Sequence, residues 1–565
     1  MVETSAEAAG SPAIETAWVK PPQEIGGLDH LGVQAPGIEI YGQLLPGITN
    51  VTDRARYYSF YPWLFWQFEQ RGWQHHDQWQ PMLRRADCLF GLIAFRHGVV
   101  SADSSDDHGA AVVGSNTLSA VVRELTEGTV VTLSDYAHGD SDRAGRYFKN
   151  LHGGLGQYYF GVLSLLGLLT GDSASSAKLV KPTGVALAEA FDGGVPGEQF
   201  MALLAADRIS VVDLDALHGF CPCGIGANLT EKQVLLGLMI RGNATGDISG
   251  AVAQTGENSD QVEVRSRSLV WLQWLVREAV NEGESLDVRL FRKLAYTQCG
   301  AGKRALSTPA DLVPIARQWQ TYQRHECFSI AVQGLFNALL RCVDLPGLGS
   351  PFPSSAALSE WFWQQGPGSQ VLPDEPLSLQ QLLNQQADEL PVFDDWADPG
   401  HEMVVLERLV ELCNGSGDAA TITALSLKIL AALWLRPENE ADYGAVQFRP
   451  HFLESNYPIN LDRFRRDLAG PIAEMPVAAA LALLTKEYCL DTHQRVALRK
   501  LAAQGQDTFR FRLTETGLRL NQIPLVAETS PRFVQTMRVL QDIGALSKSD
   551  GRLEVGDVDL TQWLS

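Results

Sequence analysis

Apolar positions in this chain recur mostly every three to four residues, the period of a helix packed on one face, and alternate only in a few short stretches. The densest run lies between Arg56 and Gln70. Tyr57, Tyr58, Phe60, Tyr61, Trp63, Phe65, Trp66 and Phe68 put rings on more than one face, which predicts a helix buried on most sides. A turn at Pro46 and Gly47 precedes it, and Pro62 is expected in its first turn or at a kink. LRRADCLFGLIAFRHG reads as a second helix, with Leu83, Leu89, Phe90, Ile93 and Ala94 inward. NTLSAVVRELTEG reads as a third, capped by Asn116 or Thr117. The same period continues through TEKQVLLGLMIRG, SLVWLQWLVREAV and PIARQWQTYQRHECFSIAVQGLFNALLRCV. It resumes at MVVLERLVELC, ATITALSLKILAALWL and PVAAALALLTKEYCL through VALRKLAAQG.

Two places break the helical period. YYFGVLSLLGLL ends near Gly167, TGDSASSA turns, KLVKPT is a short strand and GVALAEAF is a helix, the order of a winged-helix module. TFRFRLTETGLRL reads as a hairpin turning at 515–517, followed by a helix capped by Ser530 with Pro531 at its first position. GRLEVGDVDL closes as a strand. The expected fold is mainly α: a multidomain helical protein with winged-helix-like modules. Residues 1–25 form an arm, 26–100 an aromatic-rich helical domain, 101–195 the first winged module and 196–345 a helical domain. Residues 346–400 form a Pro-, Gly- and Gln-rich connector with short helices at most, 401–504 a further helical domain and 505–565 the second winged module.

Length and charge sharpen this. At 565 residues the chain exceeds what one core accommodates. Its net charge of −21 repels nucleic acid and anionic membrane, so contact with nucleic acid needs a local basic patch. The first winged module offers one: Arg143, Arg146, Lys149, Lys178 and Lys181 outnumber Asp142, Asp172 and Glu189. The second is nearly neutral. Winged helices also dock proteins, and that alternative stays open for both. No apolar run approaches the ~20 residues of a membrane span, and the N-terminus lacks the pattern of a signal peptide. The eight cysteines are scattered rather than framed for disulfides, so a cytoplasmic, reducing location is expected.

Candidate chemistry is sparse. Arg54 and Arg56, set before the rings, could meet a phosphate or an acidic partner; alternatively they pair with carboxylates while the rings build a core. HGFCPCG brings His218, Cys221 and Cys223 within six residues, a partial zinc donor set that lacks a fourth ligand and has tight cysteine spacing. Buried small cysteines are the competing reading. His75, His76 and Asp77 form a similar cluster, but adjacent histidines point in different directions. GAGKR lacks the first glycine and the hydroxyl residue of a phosphate loop, and HGGLG has no nucleophile elbow to serve. No cofactor motif is present, and no GxSxG, HExxH or EF-hand pattern occurs.

LLPGITNVTDRARYYSFYPWL resembles the N-terminal signature of uncharacterised bacterial families associated with anti-phage defence gene clusters. YFKNLHGGLGQYYFGVLSLLGLL, FCPC and WQTYQRHECFSIAVQGLF fit the same pattern, together about a fifth of the chain. The resemblance implies a bacterial, cytoplasmic accessory or sensor protein working beside an effector, and it transfers no catalytic residue. The expected function is a non-catalytic subunit of a defence or DNA-transaction complex that docks a protein partner. Arg143, Arg146, Lys149, Lys178 and Lys181 would touch nucleic acid, while Arg54, Arg56, Tyr57 and Tyr58 serve structure or partner. The alternatives are a divergent metal-dependent enzyme using the Cys/His residues, and a scaffold that binds protein alone.

Overall fold

A computed structural model of the chain describes residues 29–101, 108–137, 150–243, 259–300, 303–344, 351–387, 389–436 and 459–564. The fold is mainly helical, with four two-stranded antiparallel sheets among the described residues. The ring-rich segment forms the helix Arg56–Gln70, and only Trp66, Glu69 and Gln70 escape burial. Pro62 lies inside it, so the helix loses one amide hydrogen bond where packing on all sides compensates. The next helix, His76–Val100, buries Leu83, Leu89, Phe90, Ile93 and Ala94 as the period implies. Rings from both helices meet closely: Phe60 and Phe90 centroids are 4.6 Å apart, and Tyr57 lies 4.7 Å from both Phe90 and Tyr159. Each such ring contributes about 2–3 kcal/mol relative to exposure.

Two apolar cores result. The first gathers residues from Ile40 to Tyr322 and takes in Phe533, Met537, Leu540 and Leu560 from the C-terminal end. The second runs from Cys327 to Val526 and includes Leu31 and Val33. The helix Val313–Leu340 passes through both: Trp319 and Tyr322 sit in the first, Phe328 and Phe336 in the second. Residues 505–565 therefore divide their apolar side chains, the hairpin of Phe511–Thr514 with Gly517–Leu520 joining the second core and the helix Phe533–Asp542 the first. The Pro- and Gln-rich stretch after residue 350 carries the helix Ser355–Gln364, which buries Leu358, Phe362 and Trp363.

The helix, hairpin, helix order near residue 165 is present. Phe160–Leu165 leads to Leu169–Thr170, which pairs with Lys178–Leu179 ahead of the helix Thr183–Asp192. Two caps differ from expectation. Gly114, in the left-handed region, precedes the helix Ser115–Glu124 in place of an Asn116 or Thr117 cap. Arg532, also left-handed, precedes Phe533–Asp542 in place of Ser530, because its guanidinium reaches back to the Leu45 carbonyl at 2.8 Å and fixes the turn. The pairing of Val130–Thr132 with Arg208–Ser210 was not signalled in the sequence. It is held from outside the strands by Asp207, which accepts the Ser134 amide at 2.8 Å.

Within the first core, Asp87 accepts hydrogen bonds from the Tyr61 hydroxyl at 2.7 Å and the Gly154 amide at 2.8 Å. The HGGLG amide thus serves packing. Burial pushes the Asp87 carboxyl up to about 7 from its ordinary 3.8. A carboxyl raised in the fold contributes stability that is complete below the unfolded value and is lost as pH rises through the folded one. Between about pH 5 and pH 8.5 Asp87 should cost roughly 3 kcal/mol of stability. Asp87→Asn should remove most of that difference, as read by denaturant unfolding of both proteins at both pH values.

Candidate metal centre

Four side chains with soft or borderline donor atoms converge beside the ring-rich helix. His97 stands in the last turn of His76–Val100. His108 lies on a turn folded back against that helix; a Cβ on the following Gly109 would fall 2.4 Å from the Phe95 ring, so the close approach requires glycine. Cys221 and Cys223 flank Pro222, which opens the short helical turn Pro222–Gly226. Local hydrogen bonds set this turn: the Cys221 amide donates to the His218 carbonyl, and the Gly224 amide to the Cys221 carbonyl, each at 2.9 Å.

The donor atoms of His97, His108, Cys221 and Cys223 all lie within 4.8 Å of one another. His108 Nδ1 is 3.2 Å from Cys221 Sγ, and His97 Nδ1 is 3.4 Å from Cys223 Sγ. The two imidazoles meet edge to face with centroids 4.6 Å apart. His108 and Cys221 are buried, while His97 and Cys223 are half-buried. The hydrogen bond with Cys223 and then burial hold the Cys221 thiol well above its ordinary value. Nδ1 of each histidine and both thiolates could hold a cation.

The two signature arginines carry the frame around this cluster. Arg56 donates to the Cys221 carbonyl at 3.3 Å and the Gly219 carbonyl at 3.0 Å, and its Nε pairs with Glu231 at 3.2 Å. Neither side chain of that pair is exposed. The guanidinium also lies 4.7 Å from the Phe191 ring centroid. Gly224 makes room for it, since a Cβ there would meet Arg56 Nη1 at 2.3 Å. Arg54 grips Asp542 through Nε at 3.1 Å and Nη2 at 2.9 Å, and donates to the Ala110 carbonyl, two residues after His108, at 3.4 Å. The tyrosines do similar work: Tyr57 accepts the Val113 amide at 2.9 Å, and Tyr58 donates to the Gly47 carbonyl at 2.8 Å. Arg54 and Arg56 therefore face buried carboxylates, the second of the two readings that the sequence left open.

The structure brings Cys221 and Cys223 together as the sequence suggested, but excludes His218. That imidazole is exposed, sits 3.0 Å from the Asp215 carbonyl through Nδ1, and only packs its ring 5.8 Å from His97. The donors that join the two cysteines are instead His97 and His108, more than a hundred residues upstream. Their one local mark is a glycine after each, as after His218. His75 is exposed at the start of its helix. His76 meets His152, Nε2 to Nε2, at 2.9 Å and Asp77 at 3.5 Å, so those three do not converge. Lys303 of GAGKR pairs with Asp395 at 2.6 Å. Lys178 is exposed on its strand, and Lys181 forms an exposed pair with Glu69 at 3.4 Å. Arg143, Arg146 and Lys149 lie outside the described residues. No family model, curated protein or solved structure matches the chain.

Removing one member of a fully buried ion pair orphans the other, whereas replacing both with apolar groups removes the penalty at its source. Arg56→Met alone should cost about 3–5 kcal/mol. The double variant Arg56→Met with Glu231→Leu should recover part of that loss. Thermal melts of the two variants check this; a double variant worse than the single would contradict it.

Proposed function

We propose that this chain is a non-catalytic subunit, an adaptor or sensor, of a bacterial anti-phage defence or DNA-transaction complex. The observation that carries the reading is where the resembling motifs point. Arg54, Arg56, Tyr57 and Tyr58 bind the Asp542 and Glu231 carboxylates and the backbone at Gly47, Ala110, Val113, Gly219 and Cys221. HGGLG is held by Asp87 and FCPC by Arg56. Motifs turned inward build a framework, and chemistry belongs to a partner. A catalytic metal site keeps three protein donors and one position for water or substrate. Four protein donors around one point leave no such position, which favours the subunit over the metal-dependent enzyme. No helix among the described residues is long and apolar enough to cross a membrane.

Contact with nucleic acid in this reading runs through the first hairpin, where Lys178 is exposed and Lys181 is held only by a solvent-facing pair with Glu69. Arg143, Arg146 and Lys149, outside the described residues, are the other cations proposed for this contact. Such binding should be weak and only modestly salt-dependent, because a patch this small neutralises few phosphates.

Purification of the tagged chain from its native host, with and without nuclease, tests the reading. A stoichiometric protein partner that survives nuclease is expected; a lone chain that turns over a substrate would contradict it. Reversing Lys178 and Lys181 to Glu should weaken co-purifying nucleic acid about tenfold or more while leaving the protein partner bound. Unchanged nucleic-acid retention would remove the hairpin from the interface and leave the protein-only scaffold.

A further inference from the structure

We propose that His97, His108, Cys221 and Cys223 are the four ligands of one zinc ion that staples the first core. In a tetrahedral site with zinc–sulfur bonds of about 2.3 Å and zinc–nitrogen bonds of about 2.05 Å, sulfur and nitrogen stand roughly 3.5 Å apart. The two sulfur–nitrogen separations here, 3.2 and 3.4 Å, are close to that edge length. All four donors lie within 4.8 Å of one another, which suits a single ion. The donor types select among metals: thiolate with imidazole suits zinc, whereas calcium and magnesium demand oxygen.

The surroundings fit an ion as well. His108 is buried, and its Nε2 has no hydrogen-bond partner among the described residues. Nδ1 is the His108 nitrogen that faces the cluster, beside Cys221 Sγ. The frame fixes the donors before any ion arrives. Arg56 holds the Cys221 carbonyl, Arg54 holds the Ala110 carbonyl, and Gly109 seats the His108 turn on Phe95. Backbone hydrogen bonds of this kind orient ligands in metal sites. With four protein ligands the ion has a structural role: it ties the end of His76–Val100, the His108 turn and the CPC turn into one unit.

This proposal does not rest on the subunit reading: a closed zinc site argues only against metal-dependent catalysis at this point, and a zinc staple suits an adaptor, a scaffold or an enzyme whose chemistry lies elsewhere. The test is elemental analysis of the full chain, purified under reducing conditions without chelator from cells supplied with zinc, iron and copper. About one zinc per chain is expected. Cys223→Ser and His97→Asn should each lower it at least fivefold, and His218→Asn should leave it unchanged. In case the variants misfold, the wild-type protein supplies a second measurement. A mercurial thiol reagent should release the zinc to a colorimetric dye as the thiols are consumed. Wild-type protein with under about 0.2 zinc per chain would overturn the proposal. So would another metal at full stoichiometry, or an intact mass about 2 Da light from a bond between Cys221 and Cys223. Loss of zinc in His218→Asn would overturn the ligand set.

Discussion

A guanidinium with no exposure to water is the constraint around which the first half of this molecule is arranged. Taking Arg56 and Glu231 out of solvent costs several kcal/mol for each ion, and the fold offsets that cost by giving the guanidinium a carboxylate, two backbone carbonyls and an aromatic face. Each partner belongs to a different segment: Glu231 to the helix Leu229–Leu236, the carbonyls to the loop at 219–221, and the ring to Thr183–Asp192. Burial pushes the Glu231 carboxyl up, and Arg56 opposes it. Shifting any one of these segments would strand a charge, so they move together or not at all. The cysteine turn is part of that assembly because Arg56 holds its backbone.

A second tier depends on the first. Arg54, two residues away, clamps Asp542 at the end of the helix Phe533–Asp542 and so brings the C-terminal region onto the N-terminal core. The helix Val313–Leu340 runs on into the second core, and before entering it, its Glu326 accepts the Thr529 hydroxyl at 2.6 Å and the Thr529 amide at 2.5 Å. Segments near residues 40–70 and 533–560 thus close on one core, and a shared helix links that core to the second.

Much of this was legible in the sequence, and the parts that were not share a cause. The ring-rich helix, the inward face of His76–Val100 and the hairpins at 169–179 and 511–520 follow from local period and turn chemistry. The pairing of Arg54 and Arg56 with carboxylates was one of two readings that composition left open. What the sequence hid depends on contacts between remote positions. His97 and His108 carry no spacing signature toward Cys221 and Cys223, so half a donor set looked like an isolated pair of cysteines. The sheet joining Val130–Thr132 to Arg208–Ser210 is too short to alternate visibly. The caps at Gly114 and Arg532 depend on left-handed backbone that tertiary contacts enforce. His218 misled for the opposite reason: it is close in sequence yet turned to solvent.

The signature, on this account, is a frame that positions four donors around one ion. X-ray absorption at the zinc edge of the native protein examines that claim most directly, because it reads the donor atoms themselves. The account predicts two sulfurs at about 2.3 Å and two imidazole nitrogens at about 2.0 Å. A first shell of oxygen and nitrogen alone, or one with a single sulfur, would contradict it.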